Sequence, residues 1–83
     1  MNVILDFKNI KNKSDLHKYL KKQLELPEYY GNNLDALHDC IDNTGKSLSI
    51  KILNFVSLKK NVGEYADILL HVLEDAEDVI ISY

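Results

Sequence analysis

"LSIKILNF", residues 48–55, decides how this chain folds. Leu48, Ile50 and Ile52 alternate with Ser49 and Lys51 before an apolar end, the period-two pattern of a strand with one face on a core. Stretches with helical spacing lie on both sides of it. Upstream, Asn33 is a good N-cap for a helix running to about Asn43, and "NTG" ends it in turn-forming residues. Downstream, Val62, Tyr65, Ala66, Leu69, Val72, Leu73 and Ala76 form a wide helical stripe. Asn61 and Glu64 make an Asn-x-x-Glu variant of the capping box in front of that stripe. "VSLKK", between strand and stripe, reads as a brief helical turn.

Further out, "VILDF" (3–7) and "DVIISY" (78–83) are short β-branched runs, read as two more strands. A helix after the first strand starts at Ser14 as N-cap, with Asp15 in its first turn. It presents Leu16, Tyr19, Leu20 and Leu24 on one side and Lys18, Lys21 and Lys22 on the other. Pro27 and Gly31 make 25–32 a loop. Strands separated by helices favour parallel pairing, because parallel neighbours need crossover connections. The expected architecture is α/β: one domain over 1–83, with helices packed on a small three-stranded parallel sheet.

Composition narrows the function. The chain has 83 residues, 46% of them apolar, enough for one modest core. Its net charge is only −3 but is unevenly spread. Lysines dominate up to residue 22, and residues 61–83 hold six acids and no lysine or arginine. That balance disfavours nucleic acid and anionic membrane and favours a basic protein partner. One cysteine, Cys40, excludes an internal disulfide framework. "MNVILDFKNIK" is charged too soon for a signal peptide, and no apolar run reaches membrane length, so a soluble cytoplasmic protein is expected.

The most informative stretch for function is "LPEYYGNNLDALHDCID" (26–42), which has four acids and no lysine. On a helical wheel with Leu34 at zero, Leu37 and Ile41 flank Leu34 on the core side. Asp42, Asp35 and Asp39 fall at roughly 80°, 100° and 140°, with His38 between this arc and the core. Helix energetics alone do not ask for this. Asp35 and Asp39 are a like-charge i,i+4 pair, costing roughly 0.2–0.5 kcal/mol. Asp42 sits in the last turn, where the helix dipole disfavours an anion, and Glu74 and Asp75 repeat that anomaly in the last long helix. Electrostatic costs tolerated at two places mark a surface selected for something besides stability. The adjoining Tyr29 and Tyr30 are of a type enriched at interface hot spots. A solvated polar face is the plainer reading, but it would more naturally mix lysines in, as the first helix does. Tyr30 is expected to pack on the core.

At these residues the chain resembles the barstar family, intracellular inhibitors of barnase-type extracellular bacterial ribonucleases. "SDLHKYLKKQLELPEYYGNNLDALHDC" carries the match, with "LPEYYGNNLDAL" its most specific part and "LLHVLEDA" a weaker one near the C-terminus. The resemblance implies a small α/β inhibitor that plugs a basic nuclease cleft with an acidic helix and adjoining loop; a monomer forming a 1:1 complex is expected, because the core pattern is complete within one chain. Tyr29, Asn33, Asp35 and Asp39 fall on the family's binding positions, and Asp75 falls where the family has a glutamate facing the enzyme. His38 and Asp42 complete the expected partner-binding set. The chain departs from the family pattern at His38, where the family has tryptophan, and at Asn43, Thr44 and Lys46, where it has a Gly-Trp pair followed by glutamate.

Two enzymatic or ligand-binding readings are weaker, and a third rival is another binding module. "HDC" could suggest a thiol with its base, but consecutive helix residues point about 100° apart and do not converge. The i,i+4 pairs His38/Asp42 and Asp35/Asp39 could each chelate a cation, yet two ligands on an exposed helix make a weak site. No catalytic residue, metal or cofactor is expected, and His17 and His71 read as solvent-facing. An acidic module for a basic partner that is not a nuclease is the alternative function.

Overall fold

The computed structural model describes residues 1–43 and 47–83. In chain order the elements are β1 (Asn2–Asp6), α1 (Lys13–Gln23), α2 (Leu34–Asp42), β2 (Leu48–Leu53), α3 (Phe55–Val62), α4 (Glu64–Asp75) and β3 (Val79–Ser82). The three strands lie in the order β1-β2-β3 and every pairing is parallel, as expected. Val3 pairs with Ile50 and Ile50 with Ile81, so the inward side chains of all three strands share one face. Ile4, Lys51 and Ile80 point the other way and are exposed. The buried face meets Leu16 and Leu20 of α1, Leu37 and Ile41 of α2, Leu58 of α3 and Leu69 and Leu73 of α4 in one contiguous core. Burying each of these aliphatic side chains is worth about 1.5–3 kcal/mol.

Three local expectations are corrected. Helix α1 is capped by Asn12, not Ser14: the Asn12 side chain accepts from the Asp15 N–H at 2.8 Å. Asparagine and serine are equally good caps, so composition did not separate them. "VSLKK" is part of a full helix, α3, which takes Phe55 from the expected strand. It begins at Asn54, held in the left-handed region at φ 59° and offering no side-chain cap. The apparent capping box also fails. Asn61 belongs to α3, and its side chain donates to the Ile10 carbonyl at 2.8 Å. The break before α4 is made by Gly63 at φ 65°, ψ −138°, a conformation close to glycine-only territory.

Gly63 gives a clean test of that backbone demand, because a methyl group there would meet no atom within 4 Å. Gly63→Ala is expected to destabilise the protein by about 1–2 kcal/mol through strain alone. Urea unfolding measures it, and an unchanged midpoint would show that the α3–α4 junction relaxes without cost.

Helix α1 ends in a Schellman motif. Leu26 N–H reaches the Lys21 carbonyl at 2.9 Å and Glu25 N–H the Lys22 carbonyl at 3.4 Å, with Glu25 at φ 52°. Asn32, at φ 54°, turns the chain again before α2. The segment between them, which carries both tyrosines, is therefore set at each end by a left-handed residue.

An acidic face across two helices

Asn33 starts α2 by accepting the Ala36 N–H on its side chain at 2.8 Å, while its amide donates to the Gly31 carbonyl at 3.2 Å. This fixes the entry angle of the helix. Leu37 and Ile41 are buried beneath it, and Asp35, Asp39 and Asp42 all come to the surface, as the wheel predicts. Among the described residues no cation pairs with Asp35 or Asp39. The face thus holds carboxylates that no described cation neutralises.

The tyrosines divide as expected. Tyr29 is 84% exposed, and Tyr30 is buried at 5%. Burial pushes the Tyr30 phenol far above its usual range and keeps it neutral. Tyr29 shares a groove with Glu25, Pro27, Asp39, Cys40 and Asn43 on one side of α2. A second groove, on the other side, is lined by Asp35, His38, Ile68, His71, Val72 and Asp75. Helix α2 stands as a ridge between them.

His38 joins the two helices. Its Nε2 is hydrogen-bonded to Asp75 Oδ2 at 3.2 Å, and its Nδ1 lies 3.1 Å from Asp42 Oδ2. The structure therefore gathers Asp35, His38 and Asp75 around one groove, with Asp42 against His38, and Tyr29 and Asp39 around the other. Asn33 caps the ridge they flank. Sequence reasoning missed Ile68, His71 and Val72 on the α4 side. Ile68, an exposed isoleucine outside the core stripe, was the available signal. Thr44 and Lys46, two of the positions that depart from the family pattern, lie outside the described residues.

The solvent-facing expectation holds for His71 and fails for His17. His17 is 3% exposed, with Nδ1 2.6 Å from the Tyr30 hydroxyl and Nε2 2.6 Å from the Tyr65 hydroxyl. Burial lowers its affinity for a proton. The Tyr30 hydroxyl also reaches the Asn33 carbonyl at 3.4 Å. One neutral chain satisfies every group: Tyr65 O–H donates to Nε2, Nδ1–H to the Tyr30 oxygen, and Tyr30 O–H to Asn33. This chain underpins the tyrosine loop and the start of α2 from below.

The thiol reading gains nothing from the geometry. Burial, and then the charge of Asp39, push the Cys40 thiol up and away from thiolate, and the His38 ring is turned to Asp42 and Asp75. Among the described residues no three His, Cys, Asp or Glu side chains are placed to hold a metal. No described helix is long and apolar enough to cross a membrane.

A Bacillus subtilis (strain 168) protein named "Putative ribonuclease inhibitor YrdF" is 38% identical over 77 residues, covering 92% of this chain and 85% of that protein. The family model described as "Barstar (barnase inhibitor)" matches residues 1–80. The chain belongs to the Barstar family.

Proposed function

We propose that this protein inhibits a ribonuclease by seating the α2 ridge and the Tyr29 loop in the enzyme's basic cleft. A ribonuclease must hold a phosphodiester, so its cleft concentrates cationic donors. Carboxylates carried on a rigid helix take the phosphate positions and offer no bond to cleave. The observation that carries the reading is the pair Asp35 and Asp39, exposed and, among the described residues, without a cation beside them, next to a tyrosine that is 84% exposed. Opposite charge speeds encounter, and a preorganised helix loses little entropy on docking.

The partner in this reading is an extracellular-type bacterial ribonuclease, bound 1:1 by a monomer inside the cell that makes it. Tyr29, Asn33, Asp35, His38, Asp39, Asp42 and Asp75 form the contact surface. Calorimetric titration against barnase, other small basic ribonucleases and basic proteins without nuclease activity tests it, with RNA cleavage followed in parallel. Stoichiometric inhibition of at least one nuclease is expected. Binding confined to the non-nucleases would overturn the reading in favour of a general acidic binding module.

A further inference from the structure

His38 stands at the seam of α2 and α4 with a carboxylate oxygen at each ring nitrogen, Asp42 at 3.1 Å and Asp75 at 3.2 Å. A neutral imidazole has one N–H, so it can donate to only one of these oxygens and turns a lone pair toward the other. The imidazolium has two and satisfies both. Asp42 faces the ring from α2 and Asp75 from α4, and Asp35 and His71 line the groove beside it. Protonated, His38 engages two of the face's acids and cancels much of their field. Neutral, it keeps one carboxylate and releases the other. A docking surface rich in lysine or arginine needs those oxygens and repels a cation among them.

We infer that docking of a basic partner on the acidic face is linked to loss of the His38 proton, so that the face weakens as pH falls and recovers as it rises. The inference rests on the acidic face being the partner surface. Its sign follows from linkage: the proton is bound by the free protein and disfavoured in the complex, so acid opposes association. One linked proton sets the limit, about tenfold in affinity per pH unit below the histidine range.

The test measures affinity by calorimetry from about pH 8 to about pH 5.5 for wild type, His38→Gln and His71→Gln. Two probes are used, barnase and deca-lysine, the second at low salt, where surface attraction is least screened. The deca-lysine is N-acetylated and carries neither histidine nor a free α-amino group, so pH dependence in this range belongs to this chain. The nuclease's own histidines cancel when wild type is compared with His38→Gln. Expected is a fall in wild-type affinity with acidification that His38→Gln loses by one proton's slope and His71→Gln retains. Superimposed wild-type and His38→Gln profiles, or a slope removed by His71→Gln instead, would overturn the inference. A His38-dependent slope with deca-lysine beside no binding to any nuclease would sustain it while removing the ribonuclease reading. Tight nuclease inhibition with superimposed profiles would do the reverse.

Discussion

Asp39→Ala is expected to weaken partner binding by at least about 2 kcal/mol, roughly thirtyfold in Kd. Asp39 is exposed on the ridge beside the Tyr29 groove, and no cation pairs with it in the free protein among the described residues. A buried charge pair formed only in the complex is the kind of contact whose truncation costs most, because the partner's cation is left desolvated and unpaired. The loss belongs mainly in the dissociation rate, since encounter is steered by the whole acidic face and removing one charge changes it little. The folded state is expected to hold its stability or gain slightly. Asp35 and Asp39 repel at i,i+4, and relieving them returns roughly 0.2–0.5 kcal/mol. Association kinetics with the inhibited nuclease and urea unfolding of the free protein separate these effects. A variant that loses stability together with affinity would identify Asp39 as part of the scaffold.

The parts of the molecule that could be read from sequence are those whose signals are local. The three strands announce themselves by β-branched runs, and the acidic arc of α2 by spacing alone. The rest depended on contacts between distant residues. Asn61 with Glu64 has the form of a capping box, but the Ile10 carbonyl, 51 positions away, takes the Asn61 amide. Phe55 continues an apolar run and so reads as strand, although the backbone turns left-handed one residue earlier. The Asp75–His38 contact spans 37 positions and depends on how α4 crosses α2. His17 is the instructive failure. On the wheel of α1 it lies about 20° from Leu24, which is buried, so its position on the core side was legible. Its partners were not, because they come from the tyrosine loop and from α4, and a buried histidine is intelligible only with them.

His17 accordingly carries the largest expected stability effect. His17→Ala removes a packed ring and leaves two hydroxyls without their partner, Tyr30 buried and Tyr65 half-buried. A loss of about 2–4 kcal/mol is expected from the cavity and the broken hydrogen bonds together. The same site makes the fold acid-sensitive. Burial lowers the proton affinity of His17 in the native state, while the unfolded chain titrates near the reference value of about 6.5. Below that pH the unfolded state binds a proton that the native state does not, so stability is lost as pH falls and is fully present above it. The slope approaches about 1.4 kcal/mol per pH unit until the native state itself takes up the proton. Protonation there also breaks the donor order, since Nε2 must then donate toward a tyrosine hydroxyl that was donating to it. Urea unfolding from about pH 8 to about pH 5 is expected to show this loss in wild type and a flatter profile in His17→Gln, whose amide does not titrate. Equal acid sensitivity in both proteins would assign the effect to the carboxylates and leave His17 a packing residue only. The consequence for binding is testable in the same samples. The chain from His17 through Tyr30 ends on the Asn33 carbonyl, at the cap of the helix that carries Asp35 and Asp39. His17→Gln, able to keep one of the two hydrogen bonds, should therefore preserve the acidic face better than His17→Ala, and inhibition should follow that order.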